Sequence, residues 1–321
     1  MDRNTNGLPP GFRDLLFEEA ETRRTIENGF AAALAQEGYR EVVPSGVEFA
    51  DIYERGRQGS RQQSYKFLDR EDNLLALRAD FTPAIVRIVA GRLRQAPLPV
   101  KLWYSGPVFR KSVGLRGQFH EFNQIGAELI GENTIAADKD ILKVALRCLT
   151  GAGAKDACVH VNHAGVFRGI VKSLGLEPGP LAQVKSEIDR KDMRALGAKL
   201  DALGVHASVQ TQVSILARCV GDAGVLKAAY DTIVNDESRA AIADLDNIGS
   251  GLAEWRDRIV FDLTEIDEME YYSGVMFTFF SPSHSGELGK GGRYDMLLKE
   301  FGLDLPAVGF SLSIDRISEC L

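Results

Sequence analysis

A chain of 321 residues with 45% hydrophobic and 26% charged residues has the composition of a soluble globular protein, long enough for one large domain with an insertion or for two domains. Lysine and arginine number 38 against 45 aspartate and glutamate, 38 − 45 = −7, a balance that argues against general nucleic-acid binding, which needs clustered cations. Four cysteines without a CxxC pair, no apolar leader in MDRNTNGLPPGF and no apolar run of about 18 residues argue against a structural metal, a signal peptide and a membrane span, and lead to the expectation of a reduced, cytoplasmic protein.

Leu8-Pro9-Pro10-Gly11-Phe12 reads as a turn-forming entry. Asp14 then leads a helix to about Glu37, in which Ile26, Phe30, Ala33 and Leu34 recur at helical spacing and Gly38 supplies the stop. Residues 39–43 (YREVV) read as a strand ended by Pro44. Two further strands, 65–68 and 74–77, flank a polar turn at 69–73. A helix is expected from Asp80 to Ile88, with Thr82 as N-cap and Pro83 at the first helical position. The cations Arg87, Arg92, Arg94 and Lys101 are the nearest candidate for a local basic patch, although such a run is more often a solvated helix face.

Residues 102–131, LWYSGPVFRKSVGLRGQFHEFNQIGAELIG, form a long β-hairpin by pattern: a β-prone run, a Gly-containing loop, and a second β-prone run from Phe119 to Ile130. A helix over 138–149 carries Cys148 as a core thiol, and 157–162 is a strand. From 165 to 254 Ala, Lys, Asp and Leu dominate, with Phe167 and Tyr230 the aromatics and Gly or Pro breaks between short helices; this stretch reads as a helical insertion. Strands return at 259–263 and 276–280. Residues 289–294 read as a glycine-rich turn, and 307–312 as a final strand running into a helix at Ile314. The sum is an α+β domain around a mostly antiparallel sheet, because hairpins rather than regular helices separate the strands.

Several side chains suit an amino-acid ligand. Arg110, at the end of a strand, can anchor a carboxylate. Asp80 sits at the positive end of a helix, where it can take an ammonium group, with the Thr82 oxygen beside it. Glu121, Glu128, Gln118 and Gln124 suit amines and imidazoles, and Gln124 and Glu128, four apart on a strand, share one face. LGKGGRYD lacks the strand–GxxxxGK[ST]–helix order of a phosphate loop, and the paired aromatics of YYSG are as consistent with core packing as with a pocket.

In order, GYREVVP, LRADFTP, LWYSGPVFR…FHEFNQIGAELIG, YYSG, GGRYD and AVGFSLSIDRI resemble the catalytic core of class II aminoacyl-tRNA synthetases, specifically histidyl-tRNA synthetase, and span nearly the whole chain. The resemblance implies a six-stranded antiparallel sheet flanked by helices, split into a core over 1–164 and 255–321 and a helical insertion over 165–254. It also implies a dimer formed through the first motif. A histidine pocket is implied at Asp80, Thr82, Arg110, Gln124, Glu128, Tyr271 and Tyr272, with Tyr294 close by. The chain departs from the synthetases where they handle ATP and tRNA. Ser112 and Gln118 stand at positions of a loop glutamate and arginine, Asp267-Glu268-Met269-Glu270 aligns with an Arg-Gly-Leu-Asp run whose arginine is catalytic, and Ser313 replaces a glycine. Turning a cation into an anion beside a reacting phosphate opposes adenylate formation.

A synthetase core with the pocket kept and the activation chemistry lost resembles the regulatory subunits of ATP phosphoribosyltransferase. Membership implies no catalytic residue, no metal and no cofactor. It further implies L-histidine as ligand, a short-form catalytic subunit as partner, a homodimer within a hetero-octamer, and neither tRNA nor membrane binding. No anticodon-binding domain is expected after Leu321. The competing readings are a free-standing histidyl-tRNA-synthetase-like enzyme that activates an amino acid, motivated by Arg110 and Arg316, and an RNA-binding pseudo-synthetase, which the acidic balance disfavours.

Overall fold

Helix α1 (Phe17–Gln36) forms on the predicted stripe: Ile26, Phe30 and Leu34 are fully buried, and Gly38 takes the positive φ that ends such a helix. It starts three residues later than Asp14 suggests. The computed structural model describes residues 7–55, 64–111, 119–265 and 272–321. After α1 come β1 (Arg40–Glu41), β2 (Val47–Phe49), β3 (Lys66–Leu68), β4 (Leu74–Leu77), α2 (Thr82–Gly91), β5 (Val100–Phe109), β6 (Glu121–Ile130), α3 (Ile135–Gly151) and β7 (Cys158–His163). A run of helices follows: α4 (Ala164–Leu174), α5 (Pro178–Asp189), α6 (Met193–Ala202), α7 (Ala207–Leu216), α8 (Gly224–Thr232) and α9 (Asp236–Gly251), with the two-residue β8 (Val220–Gly221) before α8. The chain closes with β9 (Ile259–Asp262), β10 (Val275–Phe280), β11 (Gly289–Arg293), α10 (Asp295–Glu300), β12 (Ala307–Ser313) and α11 (Ile314–Ser318).

Local chemistry explains several helix ends. Thr134, His163, Asp192 and Asn235 each accept a backbone N–H at the start of α3, α4, α6 and α9, and Gly175 ends α4 in the left-handed region. Thr82 departs from its expected part. It is the first residue of α2, with no side-chain cap there; Asp80 Oδ1 accepts its backbone N–H at 3.4 Å, and the Thr82 hydroxyl points elsewhere.

The main sheet has nine strands in the order β1-β5-β6-β12-β11-β10-β7-β9-β8. The six expected antiparallel strands are its centre, from β5 to β7. Three more extend it: β1 runs parallel to β5, β9 runs parallel to β7, and β8 pairs with β9. Hairpin signals cannot announce these edges. A parallel neighbour needs a long crossover, and α4–α9 is that crossover between β7 and β9. Strands β2, β4 and β3 form a separate small sheet. A second correction concerns Gly289–Arg293, which is strand β11 rather than a turn: Gly289, Gly291 and Gly292 pair on both sides, with β10 and β12. Lys101, read as part of a helix face, lies on β5.

Helices α1, α3 and α9 close one face of the main sheet over Val159, Val161, Phe277 and Phe310. A fully buried aromatic such as Phe30 contributes about 3–5 kcal/mol against truncation to alanine. On the other face α2 and α10 cover one end through Phe81, Ile85, Tyr104, Tyr294 and Leu297. The middle of that face is open, and it forms the cleft described below. Among the described residues no helix is long and apolar enough to cross a membrane, and no group of three or more His, Cys, Asp or Glu side chains is placed to hold a metal ion.

Candidate functional site

The cleft has a volume of about 160 Å³. Seven of the eight proposed pocket residues line it: Asp80, Thr82, Arg110, Gln124, Glu128, Tyr272 and Tyr294. The eighth, Tyr271, lies outside the described residues, as do Ser112, Gln118 and Asp267-Glu268-Met269-Glu270. The pleat of β6 sorts the hairpin's polar residues. Gln124 and Glu128 face the cleft, whereas Glu121, an odd number of residues away, faces a separate cavity with Arg13 and Asn123.

Glu128 is the centre of the inner end, 1% exposed. Its Oε1 accepts from the Thr82 hydroxyl at 3.0 Å and from the Tyr104 hydroxyl at 3.2 Å, and its Oε2 accepts from the Tyr294 hydroxyl. These are neutral donors, and among the described residues no cation pairs with the carboxyl. Loss of solvation therefore pushes the Glu128 carboxyl up to about 8, with Asp80 adding to the rise and the hydroxyls opposing it. Glycines make this geometry fit. Gly309 is the cross-strand partner of Glu128, and a Cβ there would lie 1.6 Å from Oε2. Gly126 opposes Tyr104, and a Cβ there would lie 2.5 Å from the phenolic oxygen. Gly292 likewise leaves the space where the Tyr272 ring packs.

Gln124, buried four residues before Glu128 on β6, has a side-chain Oε1 with no hydrogen-bond partner among the described residues. A buried acceptor without a donor costs about 1–3 kcal/mol, so the arrangement favours a ligand N–H at this point. Towards the mouth, Arg110 is held rather than loose. Its Nε donates to Ala79 O at 2.7 Å, its Nη2 is 3.9 Å from Asp80 Oδ2, and its guanidinium sits 5.2 Å from the Phe122 ring. A cation and an anion side by side match a zwitterion's two ends. The loop bearing Asp80 is fixed by Arg78, which donates to Pro107 O at 2.9 and 3.0 Å and to Pro44 O at 3.1 Å and covers the Phe81 ring, itself stacked on Tyr104 at 4.4 Å.

The outer end belongs to Glu287, Lys290 and Arg316. Lys290 Nζ lies 3.2 Å from Glu287 Oε2, Arg316 Nη1 lies 3.7 Å from Glu287 Oε1 and donates to its backbone oxygen at 2.5 Å. Sequence reasoning singled out Arg316 but missed Tyr104, Glu287, Lys290, Ser311 and Gly309 as lining or supporting residues. Tyr104 and Gly309 had a signal: each stands on a strand opposite a partner that only a missing side chain accommodates. Arg78 lay within the quoted LRADFTP stretch but gave no sign of its positioning part.

The histidyl-tRNA synthetase family model matches residues 11–317. A protein named ATP phosphoribosyltransferase regulatory subunit from Carboxydothermus hydrogenoformans is 32% identical over 100% of this chain and 98% of its own length. One of the same name from Moorella thermoacetica is 33% identical over 97% of this chain and 80% of its own. Among solved structures, an ATP phosphoribosyltransferase regulatory subunit/histidyl-tRNA synthetase from Bacillus halodurans superposes with a TM-score of 0.90 at 26% identity, covering 100% of this chain and 84% of that one.

Proposed function

This chain belongs to the ATP phosphoribosyltransferase regulatory subunits, within the histidyl-tRNA synthetase family, and we propose that its cleft binds L-histidine as the signal it transmits to a catalytic partner. It is a regulatory subunit of histidine biosynthesis rather than a synthetase. One observation carries the ligand assignment. An amide oxygen at Gln124 without a partner among the described residues lines the same cleft as the buried carboxyl of Glu128, and the cleft's mouth holds Arg110 next to Asp80. Histidine supplies a carboxylate, an ammonium group and ring N–H donors to match. Asp80, Thr82, Arg110, Gln124, Glu128, Tyr272 and Tyr294 form the site in this reading, and Tyr271 joins them on the family resemblance alone.

The proposed partner is a short-form catalytic subunit, joined with homodimers of this chain in a hetero-octamer, in the cytoplasm. Feedback follows if histidine binds the assembled states with unequal affinity. Calorimetry tests the site: one histidine per chain is expected, with binding weakened in E128Q. A catalytic partner assayed with and without this chain tests the assembly: the chain should raise phosphoribosyl transfer and make it histidine-sensitive. Absence of both heat and complex overturns the proposal. Arg110 and Arg316 also line the cleft, so histidine-dependent ATP–pyrophosphate exchange is the measurement that decides for the synthetase alternative; none is expected.

A further inference from the structure

Glu121 is chemically suited to an amine, yet the cleft does not take it in. The pleat of β6 turns it to the rear of the sheet together with Asn123, while Gln124 and Glu128 point forward. Behind β6, between the entry segment, α1 and α11, lies a second cavity of about 350 Å³, larger than the 160 Å³ cleft. Its lining carries three arginines and four carboxylates.

The arginines are already matched. Arg13 Nη2 donates to Asp315 Oδ1 at 2.8 Å, and its guanidinium covers the Phe119 ring at 4.3 Å. Arg23 Nε lies 3.2 Å from Glu27 Oε1, and Arg24 Nη1 lies 3.2 Å from Glu27 Oε2. Glu27 also accepts from Ser105 Oγ at 3.2 Å, and Asp315 Oδ2 accepts the Asn123 backbone N–H at 2.6 Å. Two acceptors are left over. Asn123 is 7% exposed, and its side-chain Oδ1 has no hydrogen-bond partner among the described residues. The Glu121 carboxylate, two residues earlier on the same face, makes no ion pair or hydrogen bond with a described residue. Asp14, exposed, adds further negative charge. A buried acceptor without a donor is costly, so this cavity is short of donors, and the carboxylate beside it favours a donor that carries positive charge.

We propose that the rear cavity binds a small organic cation, an alkylammonium or guanidinium group whose N–H donors meet Asn123 Oδ1 and the Glu121 carboxylate. An ammonium carries three donors and a guanidinium five, enough to reach an amide oxygen and a carboxylate at once. A metal ion fits less well, because it needs several oxygen ligands converging on one point, and no group of three or more such side chains among the described residues is placed to hold one. An anion is disfavoured, since the arginines that would take it already hold carboxylates. The site stands back to back with the cleft: Asn123 precedes Gln124 on β6, and Asp315 precedes Arg316 on α11. The two cavities nevertheless share no lining residue.

Calorimetry of the full-length chain with putrescine tests this, with one putrescine per chain expected. E121Q, which removes the charge and keeps the shape, should weaken binding by about tenfold or more. N123A should weaken it as well, with the melting temperature of each variant checked in parallel. D80N, which removes the cleft's own candidate for an ammonium group, should leave the affinity unchanged. N-acetyl-lysine methylamide, a mimic of a lysine on another chain, is the second arm: tighter binding than putrescine identifies a protein side chain as the source of the cation, and weaker binding a free amine. Absence of heat with both probes overturns the proposal. So does affinity lost in D80N but kept in E121Q, or native affinity in both E121Q and N123A.

Discussion

At the inner end of the cleft a carboxylate is held by three neutral hydroxyls; at the outer end a carboxylate is held by two cations. Glu128 is sealed from water and its charge is opposed by burial, whereas Glu287 is about one-third exposed and paired with Lys290 and Arg316. Both ends stand on the same sheet face. The difference teaches where a ligand can gain most. A buried, uncompensated group responds strongly to an added donor, while an exposed ion pair is already satisfied and screened. In the proposed reading, histidine recognition resides at the inner end, and the outer end sets the rim.

The strongest break of that contrast is G309A. The added Cβ would lie 1.6 Å from Glu128 Oε2 and 2.7 Å from Ala127 O, a backbone atom that cannot swing away. Overpacking costs roughly 1–3 kcal/mol, and displacement of Glu128 should abolish histidine binding in calorimetry. Retained affinity would show that Glu128 is not a contact. Next, E128Q should weaken histidine by about 10- to 100-fold above pH 8, where the carboxyl is ionised, the cost of about 1.5–3 kcal/mol for a charged hydrogen bond.

Glu128 also predicts a pH signature. Its folded value near 8 lies above the ordinary glutamate value of 4.5, so between these values the folded state holds the extra proton and stability falls as pH rises. Melting curves of E128Q should lose that decline. His163 gives the opposite slope and serves as an internal reference. Burial first, then Arg168 and Arg293, lower it to about 4, while its Nδ1 caps α4 by accepting from Gly165 N at 3.0 Å. The unfolded chain takes up a proton near 6.5 that the folded chain refuses, so stability is full at pH 7.5 and falls by on the order of 3 kcal/mol as pH drops towards 4. H163N, which keeps a capping side chain, should flatten the acid limb. The smallest effect belongs to the rim: E287Q should change histidine affinity by less than about threefold, since exposed ion pairs contribute about 0–1 kcal/mol. A larger loss would move the binding site outward.

The sequence carried the site further than the fold's edges. Arg110, Gln124 and Glu128 were legible because one hairpin and its two-residue pleat place them, and the structure brings them into one cleft with Asp80, Thr82 and Tyr294. Thr82 was misread as a cap because the competing attraction, the Glu128 carboxyl, comes from a strand 46 residues away. Residues 289–294 looked like a turn because glycine usually marks one; here the glycines spare room for Tyr272, Phe277 and neighbouring backbone within a strand. Of the added edge strands, β1 and β9 were legible as strands at 39–43 and 259–263, but their parallel pairing was hidden because the partners are distant in the chain, which local pattern does not encode, and the two-residue β8 was not read.

The parallel pairing of β7 with β9 has a consequence for how the molecule assembles. From His163 to Ile259 the separation is 259 − 163 = 96 positions, whereas β5 and β6 are joined by a single hairpin. Closing the long loop costs more chain entropy, though only logarithmically more with length, and non-local pairings slow folding. The hairpin that carries Arg110, Gln124 and Glu128 can thus zip early, while the sheet's far edge waits for six helices to dock. Amide exchange should find that edge opening at lower free energy than the hairpin strands.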